Sequence, residues 1–313
     1  MDKNIITSRI KEICKSYGFF KIGISKAEPL SEAEDYFSNW LAQGRNADMD
    51  WLSHSFEKRI NPSFVLPEVK SIISLAYLYN TPFEHSDSPD IPKISRYGWG
   101  ENDYHKVIKK KLKEICKSIE LYLAGTEIKT LYYVDDSPVM EKRWAVKSGI
   151  GWQGKNTIVI NPEYGSFFFI ADILINVELD ADTPIEDLCK TCKLCLKSCP
   201  SGALYEEYKL DANLCIAYHT IENKNEIPAH IDLNNWIFGC DICQDVCPYN
   251  KKKFFTTDKS FYPKQSIFNK TREELFKMTE EEFNAEFTGT PIKRAKYERW
   301  KRNLDKVNST PTV

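Results

Sequence analysis

Apolar positions in the first 180 residues alternate between two periods. Ile10, Ile13 and Tyr17 recur at helical spacing within residues 4–17, and Gly18 ends that segment. Residues 19–25 read as a strand, and Pro29 opens a second helix. The run SIISLAYLY, residues 71–79, has the length and continuous apolarity of a strand buried on both faces. Leu112, Ile115 and Ile119 set a helical period through residues 103–123, and residues 129–134 return to a strand pattern. A helix follows Pro138 to about Ser148, capped by Asp136 or Ser137, and strand patterns resume at 157–160 and 166–177. This alternation predicts an α/β (α+β) layered domain over residues 1–182, with Thr183-Pro184 at its boundary. A cysteine-rich module occupies 183–250. The segment 251–313 reads as helical, with capping-box spacings at Thr271/Glu274 and Thr279/Glu282.

Charge and hydropathy narrow the function. The 313-residue chain has 43 basic and 45 acidic side chains, so no global positive field draws a polyanion and any nucleic-acid site must be a local patch. The apolar run 166–177 is broken by Asp172 and is shorter than the roughly 18–20 residues of a spanning helix, which argues against a membrane partner. The amino terminus lacks the pattern of a secretory signal, so a cytoplasmic location is expected.

Ten cysteines in such a chain are poorly explained as structural disulfides, and eight of them lie between 189 and 247. The first group is Cys189-x2-Cys192-x2-Cys195-x3-Cys199-Pro200. Three thiolates on one tight loop suit one face of an iron–sulfur cube better than a tetrahedral zinc, and the fourth cysteine of such a run crosses to a second cluster. The second group, Cys240-x2-Cys243-x3-Cys247-Pro248, lacks a nearby first member. Cys215 is read as that ligand, displaced upstream, with the insertion forming a loop or helix around 234–238. The expected sets are Cys189, Cys192, Cys195 and Cys247 for one [4Fe-4S] cluster, and Cys199, Cys215, Cys240 and Cys243 for the other. Cys14 and Cys116 sit in helical apolar patterns and read as core residues. His219 and His230 read as structural hydrogen-bonding groups rather than ligands.

A ferredoxin needs only about 60 residues for such a module, so the preceding layers imply a second cofactor or substrate that receives the electrons. They contain no G-x-G-x-x-G, no P-loop and no D-x-H-x-x-G; Asp103-Tyr104-His105 begins the last and fails at Ile108. One stretch holds candidate chemistry. In Val134-Asp135-Asp136-Ser137-Pro138 the carboxylates follow a strand, where open α/β sheets bind ligands, and capping leaves Asp135 free to act as an acid. The turn 149–154 carries three glycines and could present backbone amides to a ligand.

The strings VDDSPVMEKRWAVKSGIGWQGKNT, SFFFIADILINVEL, CKTCKLCLKSCPSGAL, LDANLCIAYHTIE and NWIFGCDICQDVCPYN together resemble the epoxyqueuosine reductase family, over residues from about 5 to 305. The resemblance implies a cobalamin-dependent oxidoreductase with two [4Fe-4S] clusters that reduces epoxyqueuosine in tRNA to queuosine. It also implies a nitroreductase-like cobalamin-binding domain, then a ferredoxin-like module and a helical carboxyl-terminal segment. On this resemblance Asp135 is the proton donor and should be desolvated, facing corrin and substrate. Cobalamin contacts fall on Arg59, Asn156, Thr157 and Asp241. The expected partners are the modified tRNA and an external low-potential electron donor, with the protein a monomer.

Many members of the family continue into helical repeats that grip tRNA, whereas this chain stops at Val313. Between 293 and 306 seven basic and two acidic residues follow a helix start marked by Thr290-Pro291, which makes Lys293, Arg294, Lys296 and Arg299 candidates for tRNA contact. The alternative for this segment is a solvated charged helix end. The runs Lys109–Lys111 and Lys251–Lys253 read as ordinary solvated charge. Two other classes share these motifs: a small-molecule reductase of the dehalogenase type, and a plain electron carrier.

Overall fold

The computed structural model describes residues 2–252 and 254–309; Lys253 lies outside the described residues. Strands Lys21–Lys26, Ser71–Leu78, Phe168–Ile175 and Thr130–Tyr133 form, in that spatial order, a four-stranded sheet. All three pairings are antiparallel. The domain is therefore α+β, and the rule that places ligands at the carboxyl ends of parallel strands does not apply to it. Every residue of Ser71–Leu78 is buried, because helices cover both faces of the sheet.

Strand alternation decides which helix covers which face. Ile73, Leu75, Ile173 and Ile175 pack with Ile10 of helix Lys3–Ser16 and with Ile108, Leu112, Ile115 and Ile119 of helix Tyr104–Tyr122. Cys14 and Cys116 lie buried in the same cluster as small core groups. Ile72 and Leu174 face the other way, against Leu30, Val139 and Trp144. Each such aliphatic side chain withdrawn from water stabilises the layers by about 1.5–3 kcal/mol.

A second core joins residues from both sides of the expected boundaries at 183 and 250. It combines Ile94 and Trp99 with Ile216, Trp236, Ile237, Phe283, Trp300 and Leu304. The segment around 236, expected as loop or helix, is a strand, Trp236–Phe238, paired in parallel with Lys93–Ile94. This pairing gives the cysteine module a seam with the amino-terminal layers. Asp241, completely buried, closes it by accepting from the Arg96 backbone N–H at 2.8 Å, from the Ser95 hydroxyl, and from the Arg96 guanidinium at 3.4 Å. Both predicted capping boxes form, on helices Arg272–Lys277 and Glu280–Phe287. No helix among the described residues is long and apolar enough to cross a membrane.

Candidate active site and cluster module

Strand Thr130–Tyr133 ends at the wholly buried Val134, and the next residue turns sharply. Asp135 has φ +54°, a left-handed conformation that Asp tolerates better than most residues because its short polar side chain bonds locally. Its backbone N–H donates to Glu141 Oε1 at 2.8 Å. The Tyr104 hydroxyl donates to Asp135 Oδ2 at 2.5 Å, and His105 Nε2 stands 3.9 Å from the same oxygen. His105 is itself oriented by a 2.6 Å contact between Nδ1 and Asp103 Oδ1.

The expected cap is absent. The helix begins only at Glu141, with Met140 before it and no side-chain cap, while Asp136 pairs with Lys109. The expected burial of Asp135 is also not met by the polypeptide: its side chain is 66% exposed, because the turn sets it on the rim of a cavity. Buried and half-buried groups surround it instead. Burial and the Asp135 carboxylate push the Tyr104 phenol far above its ordinary range, and the Tyr97 phenol shifts the same way. Burial, with Asp172 and Asp135 adding to it, holds the Glu141 carboxyl well above the usual carboxylate range.

The cavity beside Asp135 opens to solvent, spans about 980 Å³ with its open mouth included, and is walled by Tyr97, Tyr104, Phe168 and Phe169, with Lys142, Glu222 and Arg294 at polar points. A second cavity, of about 970 Å³, shares Lys142 and is lined by Trp40, Arg59, Met140, Glu141 and Thr157. Two of the four predicted cobalamin contacts are therefore on a cavity wall. Arg59 is 8% exposed, and its Nε has no hydrogen-bond partner. Thr157 takes a left-handed φ of +65°.

The other two predicted contacts make protein hydrogen bonds at the seam with the cluster module. Asn156 Nδ2 donates to the Cys243 carbonyl at 3.2 Å and its Oδ1 accepts from Ile158 N–H, so it ties the hairpin to the cluster module. Asp241 is the buried acceptor of Ser95 and Arg96 described above. The glycines of 149–154 serve packing rather than ligand approach. A Cβ on Gly151 would lie 2.2 Å from the Ile160 carbonyl, and one on Gly149, at φ +72°, would lie 2.5 Å from that of Thr183.

All eight cysteines of the module are free thiols. The Cys195 thiol, pushed up to about 11 by burial, also feels Cys189, Cys247 and Cys192. Burial pushes Cys240 up further, with Cys215 and Cys199 adding to it; Cys243 feels Cys240 and Cys215. Cys243 also feels Cys195, so the eight thiols lie in one contiguous group, in which Cys199 is near Cys240 and Cys247 near Cys195. Among the described residues no three His, Cys, Asp or Glu side chains are already drawn together around a single point. His219 is structural: Nε2 meets the Asn213 carbonyl at 2.8 Å and Nδ1 meets Asn223 at 3.1 Å. His230 is exposed.

The basic segment is less free than its composition predicts. Pro291–Ala295 forms a 3-10 turn, and helix Lys296–Ser309 follows, with Lys296 at φ +59°. Arg299 donates to the carbonyls of Ala295 at 2.7 Å and Ile221 at 2.6 Å, and Arg302 donates to those of Asn223 at 2.9 Å and His219 at 2.7 Å. Arg299 is therefore an internal clasp between helix and cluster module. Lys293 reaches Asn284, while Arg294 and Lys296 remain exposed, Arg294 at the mouth of the Asp135 cavity.

Sequence reasoning missed Tyr97, Tyr104, His105, Glu141 and Lys142. Tyr104 and His105 were visible only as part of the D-x-H-x-x-G string that fails at Ile108, and nothing in their spacing points to a residue 31 positions away.

A module with eight free thiols, joined to antiparallel layers that carry a cavity with a carboxylate on its rim, has the make-up of an iron–sulfur oxidoreductase. Residues 188–250 match the 4Fe-4S double cluster binding domain, and residues 59–136 match the family described as epoxyqueuosine reductase QueG. The epoxyqueuosine reductase of Atelocyanobacterium thalassa is 41% identical over 305 residues, covering 95% of this chain and 97% of its own. The chain belongs to the epoxyqueuosine reductase family.

A crystal structure of epoxyqueuosine reductase with an epoxyqueuosine-modified tRNA-Tyr stem loop superposes with a TM-score of 0.86 at 29% identity, over 97% of this chain and 80% of that one. The Bacillus subtilis enzyme, solved with its catalytic aspartate loop swung out of the active site, gives 0.85 at 28% identity, over 97% and 81%.

Proposed function

We propose that this protein reduces the epoxide of epoxyqueuosine in tRNA to queuosine, with Asp135 as the proton donor. The observation that carries the reading is Asp135 itself: its backbone turns at a left-handed φ with the N–H held by Glu141, and its carboxylate accepts from Tyr104 on the rim of an aromatic cavity, beside a double-cluster module. The ligand sets are Cys189, Cys192, Cys195 and Cys247, and Cys199, Cys215, Cys240 and Cys243, supported by the grouping of the thiols. Cobalamin fits the paired cavities, where the partnerless Nε of the buried Arg59 offers a donor to an amide-rich ligand. Arg59 and Thr157 would hold it, in layers that we read as nitroreductase-like. When bound, the clusters and the corrin supply low-potential electrons.

Removing an epoxide oxygen as water consumes two electrons and two protons, and the protein must deliver the protons. Asp135 gives one to the oxygen as the C–O bond breaks, and Tyr104 orients the carboxyl through its short hydrogen bond. Substrate and corrin filling the cavity would cover Asp135 and exclude bulk water from the proton transfer. Arg294, with Lys293 and Lys296 outside it, would meet tRNA phosphates at the cavity mouth. We read the protein as a cytoplasmic monomer served by an external electron donor. No observation favours the dehalogenase-like or electron-carrier readings.

The test is Asp135→Asn in anaerobically reconstituted protein with epoxyqueuosine-containing tRNA. Iron and corrin content should stay at the parent level while turnover falls roughly 10²–10⁴-fold. An unchanged rate removes Asp135 from the role.

A further inference from the structure

The hairpin formed by Trp152–Gln153 and Val159–Ile160 belongs to the amino-terminal layers, yet it reaches into the cluster module. Trp152 is 1% exposed and packs edge-on against Tyr249, two residues beyond Cys247, with ring centroids 4.8 Å apart. Its indole N–H donates to Cys189 Sγ at 3.3 Å. Lys155, 3% exposed and on the same turn, donates to the Lys190 carbonyl at 2.5 Å and pairs with Glu207 at 3.2 Å. Lys190 has φ +46°, so this clamp fixes the ligand loop at its strained point. The geometry aims one hydrogen-bond donor at a ligand sulfur and holds that sulfur in place.

We propose that Trp152 tunes the reduction potential of the cluster held by Cys189, Cys192, Cys195 and Cys247, raising it through an N–H···S hydrogen bond. An N–H donor stabilises negative charge on sulfur, and the reduced cluster carries one electron more than the oxidised one, so the bond favours reduction. The layers that surround the substrate cavity thereby set how readily one of the two clusters accepts an electron. The inference rests on the ligand sets proposed above.

An EPR-monitored redox titration of the anaerobically reconstituted full chain tests it. Trp152→Phe keeps a buried aromatic ring and deletes the donor. At fixed poise its reduced-to-oxidised ratio should fall about 3- to 10-fold at one cluster, where tenfold is 59 mV for one electron, and stay unchanged at the other. Trp152→His, which retains an N–H, should recover part of the shift. Full iron with neither midpoint moved overturns the inference, as does a His variant shifted as far as the Phe variant. Failure of the ligand reading would instead appear as a parent protein that binds fewer than about eight irons.

Should Trp152→Phe not load iron, pulsed EPR of the reduced parent carrying 15N-indole tryptophan decides the matter. A nitrogen coupling to one cluster supports the bond, and no coupling at either cluster overturns it.

Discussion

The cysteine module and the Asp135 cavity sit side by side but are built in opposite ways. Seven of the eight module thiols come from two short runs, 189–199 and 240–247, and the loops place them by local chain geometry. The cavity draws Tyr104, Asp135, Lys142, Phe168 and Arg294 from segments spread over almost 200 residues. Ligation of a metal cluster tolerates a simple spacing code because thiolates on one loop need only reach one face of a cube. A proton donor instead needs partners on every side, and those come from whatever elements the fold stacks around it. Local motifs thus reveal cofactors, whereas the residues that position a reacting group are distributed.

The sharpest way to break this contrast is at Cys199, one of the two thiols that cross between runs in the proposed ligand sets. Cys199→Ala should lower iron from about eight to about four per chain and abolish turnover, while the cluster of Cys189, Cys192, Cys195 and Cys247 keeps its EPR signal. Loss of both signals would show that the two sites are not separable. The seam between the regions comes next. Arg96→Met leaves the wholly buried Asp241 without its cationic partner and should cost about 3–5 kcal/mol, read as a lowered midpoint in anaerobic unfolding.

A smaller effect probes the interior of the layers alone. Asp172 is completely buried opposite Ser74, whose hydroxyl donates to it at 2.6 Å, and burial raises its carboxyl to about 7. The folded state therefore holds this proton more tightly than the unfolded chain does. The stability it contributes is fully present below the ordinary carboxylate value and is lost as pH rises through about 7. Asp172→Asn should flatten that decline and gain roughly 1–3 kcal/mol at pH 8 relative to the parent, with little gain near pH 4, measured as unfolding midpoints across the range. An unchanged pH slope would mean that another group governs it.

What the amino-acid sequence determined by itself was whatever depends on neighbours along the chain. The cluster spacings, the apolar strand Ser71–Leu78, the amphipathic helix Tyr104–Tyr122, the two capping boxes and the family strings were all legible, because each is a short-range pattern with one physical meaning. Tertiary structure decided the rest. It made the sheet antiparallel, made 236–238 a strand where a loop or helix was expected, and set Asp241 and Asn156 in the seam. It also spent Arg299 on backbone carbonyls and brought Tyr104 to Asp135. Hydrogen-bond donors and charges take the partners that packing leaves nearest, and periodicity along a chain carries no record of which distant element that will be.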